Sequence, residues 1–179
     1  MFPVEVIHAK ATGQGLRHLL IGGQAVNAYG EPRATLDVDL LIPVDERGDW
    51  KQLLVEEGFR CCHEADHFAQ FSPPYGVSWR LDLMLVGADT FSRLWQDSTT
   101  RPALGIQARV PSIEHLIALK LHALRHGPCD RADKDFADIV TLARVADLDP
   151  ESPAVREVFL RHGNPELHER LRKALGNRT

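Results

Sequence analysis

Two aspartates separated by one residue have the types and spacing of metal ligands. Asp37 and Asp39 lie in the alternating segment LDVDLLI, residues 36–42, which predicts a β-strand. Because side chains two positions apart on a strand project from the same face, both carboxylates would point in one direction. Hard Mg²⁺ ions take one or two carboxylates together with water and substrate phosphates. The spacing therefore predicts a Mg²⁺ site on this strand.

A third carboxylate occurs on a later predicted strand, VSWRLDLMLV, at residues 77–86. Asp82 lies between Leu81 and Leu83, where a charge is unfavourable unless something cationic meets it. Three carboxylates from two strands could hold two metal ions about 4 Å apart, an arrangement that supports in-line attack at phosphorus.

A pair of glycines adds a possible phosphate-binding element. Gly22 and Gly23 end the apolar run RHLLIG and precede the helix-forming segment QAVNAYG, residues 24–30. Two glycines at such a junction let the backbone approach a ligand closely, and the N–H groups of the helix start can hold phosphate oxygens. A glycine pair alone is often only a turn, and D-x-D alone is often the solvent face of a sheet. Their order and spacing together favour phosphate chemistry.

Composition limits the classes of protein to consider. The chain has 179 residues, 44% hydrophobic and 26% charged, with a net charge of −4, which excludes a disordered acidic tail. It has no Lys/Arg surplus for a broad grip on nucleic acid. Three cysteines, Cys61, Cys62 and Cys129, predict a reducing compartment rather than a disulfide framework. With no evident signal peptide and no apolar stretch of roughly 20 residues, we expect a soluble cytoplasmic protein without membrane contact.

The elements that would position these residues alternate between strand and helix over the first 110 residues, and the remainder is helical. This pattern predicts an α/β (α+β) fold, with residues 1–110 as a mixed-sheet core and residues 111–179 as a C-terminal helical segment packed on it. The further predicted helices are 46–57, 88–97, 113–126, 132–146 and one or two in the tail, and the further predicted strands are 59–63, 67–71 and one near 104–110.

Two blocks of the sequence carry a resemblance to a known family. Residues 20–42 resemble the signature of the DNA polymerase β-like nucleotidyltransferase superfamily, a hydrophobic-Gly-Gly/Ser segment followed by D-x-D. The Arg-x-Thr-x-Asp-x-Asp form is most similar to AbiEii-type and related toxin nucleotidyltransferases. Residues 112–121, SIEHLIALKL, and 131–142, RADKDFADIVTL, resemble that family's later segments. The resemblance covers roughly residues 17–145 and implies a nucleotidyltransferase fold, a mixed sheet flanked by helices.

The resemblance implies phosphate-binding roles for five residues. Gly22 and Gly23 would cradle the phosphates of the nucleotide, and Arg33 and Thr35 could help to position them. Lys120 matches the family's triphosphate-contacting lysine, a role that suits a compact charge on a flexible stem.

The resemblance also implies roles for the acidic residues. Asp37 and Asp39 would bind two Mg²⁺ ions, for which Mn²⁺ could substitute, and Asp82 would be the third metal-binding carboxylate and assist deprotonation of an acceptor hydroxyl. Asp135 matches the acidic residue of the last motif, whereas Asp138 is expected to form a local salt bridge or cap. The implied reaction transfers a nucleoside monophosphate from an NTP to a hydroxyl and releases pyrophosphate.

The sequence leaves the acceptor open among a tRNA end, a protein hydroxyl and a small molecule. A toxin role, with a cognate antitoxin as partner, is implied by the resemblance alone. The alternative is a catalytically silent nucleotide-binding or protein-interaction module with the same fold. The presence of all three carboxylates favours an active enzyme.

A zinc site at Cys61-Cys62-His63 and His67 is disfavoured, because neighbouring residues on a strand face opposite ways and a structural site needs four converging ligands. The histidines of the helix at 113–126 are expected to be surface or partly buried side chains.

Overall fold

The structure, a computed structural model, describes residues 3–30, 32–126 and 131–176; Cys129 lies outside the described residues. The helices are α1 (Pro3–Gly13), α2 (Gly22–Tyr29), α3 (Arg47–Glu56), α4 (Ala88–Gln96), α5 (Ile113–His126), α6 (Ala132–Val145), α7 (Pro153–His162) and α8 (Pro165–Gly176), with a 3₁₀ turn at Val44–Glu46. The strands are β1 (Leu19–Ile21), β2 (Asp37–Pro43), β3 (Arg60–Ala65), β4 (Phe68–Ser72), β5 (Arg80–Val86), β6 (Thr99–Ala103) and β7 (Ile106–Val110).

Within the described residues the first five strands form a mixed sheet in the order β1-β2-β5-β4-β3, and β6 pairs with β7 in a separate hairpin. The central pair β2 and β5 is parallel, and the other pairs of the large sheet are antiparallel. The parallel pair requires a long connection, which runs from α3 through β3 and β4 back to β5. Such a mixed α/β arrangement is the predicted fold class, which is confirmed.

The chain divides into two compact units, Met1–Ala28 with Pro32–Ser112, and Tyr29–Glu31 with Ile113–Thr179. In the first unit, alternation along β2, β4 and β5 separates a polar face of the sheet from an apolar one. The buried side chains of the apolar face are Val38, Leu40, Ala69, Phe71, Leu81 and Leu83. A small apolar cavity on this side is lined by residues of α1, β1, β2, β5 and β7, so α1 and the hairpin cover the apolar face.

The second unit is helical. Helix α5 packs against α6 and α7, and α8 packs against α6 and α7. Its buried apolar side chains recur at helical spacing and form a core of their own, comprising Leu116, Ile117, Leu121, Ile139, Leu142, Phe159 and Leu171. In the described residues no helix is long and apolar enough to cross a membrane.

Two elements escape the sequence prediction. Helix α1 lies in a segment for which no element was predicted, although its buried Val4, Ile7 and Ala11 recur at helical spacing. Strand β6 is the second missed element. It pairs with β7, the strand predicted near 104–110, and the tight turn between them is Leu104-Gly105, both with positive φ. Leucine is rare in such a turn, where Asn-Gly is the usual signal. The expectation that residues 111–179 pack on the core stays a prediction.

Candidate active site

The parallel register of β2 and β5 brings two of the predicted carboxylates side by side. Asp39 is the direct partner of Asp82, and Asp37 is the partner of Arg80. Neighbouring strands lie about 4.8 Å apart and partners in register share a face, so the Asp39 and Asp82 side chains project together from the polar face. The D-x-D motif of β2 and Asp82 of β5, predicted separately, are therefore neighbours in the sheet.

Gly22, the residue that follows β1, lies against one carboxylate of this pair. Ile21 is the partner of Asp39 on β1, and Gly22 follows it as the first residue of α2. Gly22 has φ +64°, and a Cβ at this position would overlap the Asp39 carboxylate. Both the backbone conformation and the space therefore require glycine here. The start of α2 thus lies directly against Asp39.

The second glycine faces a different neighbour. A Cβ on Gly23 would lie 2.9 Å from both Nη2 of Arg33 and Oγ1 of Thr35. The loop after α2 therefore turns back over the first turn of the helix and brings these two side chains beside it. A guanidinium and a hydroxyl next to a helix N-terminus form an environment that suits a phosphate oxygen.

Asn27 holds this returning loop in place. Its Nδ2 donates to the carbonyl oxygen of Arg33 at 2.9 Å, and its Oδ1 accepts from the Arg33 N–H at 2.9 Å. Gln24 adds a longer bond, at 3.5 Å, to the carbonyl oxygen of Thr35. The sequence analysis missed both residues. Asparagine is poor in a helix interior and favours bonds to nearby backbone, which is the signal that marks Asn27.

The polar partners of the acids differ. Asp82 is 5% exposed, and its two carboxylate oxygens accept from Nε2 of Gln70 at 3.1 and 3.4 Å. Asp37 is more exposed and pairs with Nε of Arg80 at 3.4 Å. Gln70, also missed by the sequence analysis, is the partner of Asp82 on β4. No local signal identifies it, because strand pairing is set by long-range contacts.

The oxygen donors of Asp39 and Asp82 fit a hard divalent cation that completes its coordination with water and phosphate. Among the residues that the structure describes, no group of three or more His, Cys, Asp or Glu stands ready to hold a metal ion. Asp37 lies one row further along the sheet than Asp39 and pairs with Arg80. Its predicted role as a metal ligand stays a prediction.

In the helical unit, Lys120 lies between two carboxylates. Its Nζ is 2.6 Å from Oδ1 of Asp135 and 2.8 Å from Oδ2 of Asp138, and all three residues are buried. The salt bridge expected of Asp138 is confirmed. The three groups sum to a charge of −1, an arrangement that is costly to disrupt in a buried setting. Contact of Lys120 with a triphosphate stays a prediction.

Two histidines of α5 lie close together. The rings of His122 and His126 are 4.6 Å apart. Burial lowers the pKa of the His122 imidazole, and the neighbouring charges of His126 and Arg125 lower it further. His122 and His126 are exposed and His115 is half-buried, as expected from the sequence.

A mixed sheet with a glycine-started helix beside paired aspartates is the fold of the nucleotidyltransferases, and comparison with solved structures agrees. The crystal structure of ANT(2″)-Ia in complex with adenylyl-2″-tobramycin has a TM-score of 0.64 at 20% identity, covering 96% of each chain. Lincomycin-bound LnuA, a lincosamide antibiotic adenylyltransferase, has a TM-score of 0.58 at 16% identity, covering 80% of this chain and 96% of that one. An antigenic nucleotidyltransferase-like protein from Paracoccidioides brasiliensis has a TM-score of 0.56 at 21% identity, covering 96% and 89%. Likeness at this identity shows the fold.

The family follows from the second half of the chain. A family model described as "Nucleotidyl transferase AbiEii toxin, Type IV TA system" matches residues 89–178, half of the sequence, and the chain belongs to this family. The resemblance inferred from the motifs is confirmed. No curated protein sequence matches the chain. The matched segment contains Lys120 and Asp135, whereas the glycine pair and the three proposed metal-binding aspartates lie before it.

Proposed function

We propose that this nucleotidyltransferase-family protein is an active, divalent-metal-dependent enzyme that moves a nucleoside monophosphate from an NTP to a hydroxyl acceptor. The observation that carries the proposal is the side-by-side pairing of Asp39 and Asp82, with Gly22 against Asp39. A purely structural sheet gains nothing from two acids in register, since like charges directly opposite each other are destabilising. A metal cation bound at this position together with a triphosphate would offset the repulsion between the two carboxylates.

The start of α2 and its returning loop are the proposed phosphate-binding element. The N–H groups of the first turn of a helix are not used within the helix and point at an incoming anion. The Arg33 guanidinium, beside Gly23, adds a fixed positive charge that can bind phosphate oxygens in a fork. Asn27 fixes the backbone of Arg33 and so holds the residue that carries this charge beside the start of α2.

The chemistry proposed is an in-line displacement at the α-phosphorus. Asp39 and Asp82, joined by Asp37, would hold the divalent cations, two Mg²⁺ or Mn²⁺ in their place. A cation bound there would neutralise the negative charge that develops on the phosphoryl oxygens. Asp82 accepts the proton of the acceptor hydroxyl as that oxygen forms its bond to the α-phosphorus. The bond between the α-phosphorus and the bridging oxygen breaks, and pyrophosphate leaves with the electron pair.

Membership of the AbiEii family supports a toxin role with a cognate antitoxin, which we propose on that ground. The acceptor hydroxyl belongs to tRNA, protein or a small molecule. Two of the similar folds, ANT(2″)-Ia and LnuA, come from structures with an adenylylated or bound antibiotic, so a small-molecule acceptor belongs in any screen.

The test is a labelling experiment with NTPs carrying radioactive phosphorus at either the α or the γ position. Each NTP is incubated with the protein, Mg²⁺ or Mn²⁺, and separate pools of tRNA, cell protein and hydroxyl-bearing antibiotics. Nucleotidyl transfer labels an acceptor from the α position only. Labelling from the γ position would indicate phosphoryl transfer instead. Tight nucleotide binding without labelling of any pool would favour the catalytically silent module.

A further inference from the structure

Gln70 lies in a polar row that crosses four strands of the sheet. Asp39 on β2 pairs with Asp82 on β5, Asp82 pairs with Gln70 on β4, and Gln70 pairs with His63 on β3. The flanking residues of β4, Ala69 and Phe71, point into the buried core. Gln70 therefore reaches the same face of the sheet as the two carboxylates.

We propose that Gln70 is a positioning residue that sets the rotation of the Asp82 carboxylate for metal and acceptor binding. Its Nε2 donates to Oδ1 at 3.1 Å and to Oδ2 at 3.4 Å, so one amide group spans both oxygens of the acid. A hydrogen bond to an ionised carboxylate is stronger than one between neutral groups. Because Asp82 is almost fully buried, a fixed amide replaces water in orienting it.

The other end of the Gln70 amide has a partner of its own. Cys62 lies at the irregularity of β3 between Cys61 and His63, and its Sγ is 3.3 Å from the carbonyl oxygen of Gln70 and 3.8 Å from Oε1. A thiol donates to oxygen and an amide N–H₂ cannot accept, so the contact favours Oε1 towards Cys62 and Nε2 towards Asp82. The orientation that the carboxylate needs is thus favoured from both sides.

The inference rests on the proposed function, since Asp82 serves metal and acceptor there. Partners that orient a metal-binding carboxylate typically change metal affinity or activity by about 10- to 100-fold when removed. Gln70 lies on β4, which β5 and β2 separate from β1 and the glycine turn that follows it. We therefore expect its loss to lower kcat and metal affinity while leaving the KM for NTP nearly unchanged.

The test compares Gln70→Met, which keeps the length of the side chain and removes the donor, with Gln52→Met. Gln52 lies on the surface of α3 and donates only locally, to Glu56, so its replacement is the matched control. Mn²⁺ binding is measured by titration calorimetry with a non-hydrolysable NTP analogue, and kcat and KM are measured by label transfer. Gln70→Met is expected to weaken Mn²⁺ binding and lower kcat about 10- to 100-fold, with Gln52→Met unchanged.

A second variant keeps the inference testable if Gln70→Met does not fold. Cys62→Ala removes the thiol contacts with Oε1 and with the carbonyl oxygen of Gln70, and it is expected to lower Mn²⁺ affinity by a smaller factor than Gln70→Met. Mn²⁺ affinity and kcat in folded Gln70→Met within twofold of wild type would overturn the inference. So would a wild type that binds no Mn²⁺ with nucleotide. A wild type that binds Mn²⁺ but transfers no label would overturn the proposed function alone, because the Mn²⁺ comparison still decides the role of Gln70.

Discussion

Gly22 and the Asp39 carboxylate are in such close approach that a single methyl group on the glycine would overlap the acid. Asp39 lies on β2, and Gly22 directly follows β1, whose antiparallel register with β2 sets Ile21 against Asp39. The left-handed backbone at Gly22, with φ +64°, turns the chain into α2 at this point. The geometry joins the proposed phosphate-binding turn to the proposed metal-binding acid.

Replacing Gly22 with alanine is therefore expected to damage both fold and function. A left-handed alanine costs roughly 1–3 kcal/mol, and the methyl group must in addition displace Asp39. We expect a lower free energy of unfolding in urea and a loss of nucleotide binding in the presence of Mg²⁺. Gly48→Ala is the matched control, since nothing lies within 4 Å of a Cβ at Gly48 and it sits inside α3. Equal nucleotide affinity in both variants would contradict the close approach of Gly22 to a binding site.

Magnesium and nucleotide together are expected to stabilise the wild-type protein against heat. A ligand at 100 times its Kd contributes about 2.7 kcal/mol, which raises Tm measurably by differential scanning fluorimetry. Asp39→Asn and Asp82→Asn should lose this shift. Without ligand, Asp39→Asn should melt at the wild-type temperature or above, because the repulsion between paired acids is relieved. Asp82→Asn also loses one of the two bonds from Gln70. A Tm shift retained in both variants would place the nucleotide elsewhere.

The buried Lys120 is expected to matter for stability whatever its role with nucleotide. Lys120→Met leaves the Asp135 and Asp138 carboxylates buried without their cation, which typically costs roughly 3–5 kcal/mol. The free energy of unfolding from urea titration measures the cost. Lys173→Met removes a lysine with an exposed partner, Glu169 at 3.7 Å, and should change stability by less than about 1 kcal/mol. Similar values for the two variants would contradict the buried ion cluster.

His18 is expected to make the fold sensitive to mild acid. Burial, and then the neighbouring His8, lower the pKa of His18 from 6.5 to about 4. Nε2 of His18 lies 3.0 Å from Nδ1 of His8, and its ring meets Trp50 edge-on. Since the unfolded chain binds this proton more readily, the stability that His18 contributes is fully present above pH 6.5 and is lost as the pH falls towards 4. The shift corresponds to about 3 kcal/mol.

The measurement is the free energy of unfolding in urea between pH 4 and pH 7.5 for wild type and His18→Gln. The wild type should lose stability on acidification through this window, and His18→Gln should lose less. His67→Gln, at an exposed turn position, is the control and should follow the wild type. Parallel curves for wild type and His18→Gln would show that the His18 pKa is not lowered.

The parts of the site that the sequence predicted are those with a local pattern. Alternation along residues 36–42 marks Asp37 and Asp39 as sharing a face, and the glycine pair after an apolar run marks the turn into α2. Asn27 and Gln70 escaped because their roles depend on partners that come from the loop after α2 and from strand pairing across the sheet. Strand order is a long-range property, so the meeting of Asp39 with Asp82 could be proposed from the sequence but not placed in register.

The difference between local patterns and long-range pairing also explains which helices and strands were predicted. Helices α5 and α6 have long periodic patterns and were predicted almost to the residue. Strand β6 contains Pro102 and only short apolar runs, and its partner β7 is reached through a turn without asparagine. Local propensity is weak for such a strand, and pairing alone stabilises it.

The most direct measurement is the rate of nucleoside monophosphate transfer by wild type, Asp39→Asn, Asp82→Asn and the surface control Asp45→Asn. Asp45 lies exposed on the 3₁₀ turn after β2, so its replacement leaves the carboxylate pair intact. We predict that each of the paired aspartates contributes at least about 100-fold to the rate and that Asp45→Asn transfers at the wild-type rate. Transfer by Asp39→Asn and Asp82→Asn at the wild-type rate would contradict the proposal that the paired acids of β2 and β5 are the catalytic centre.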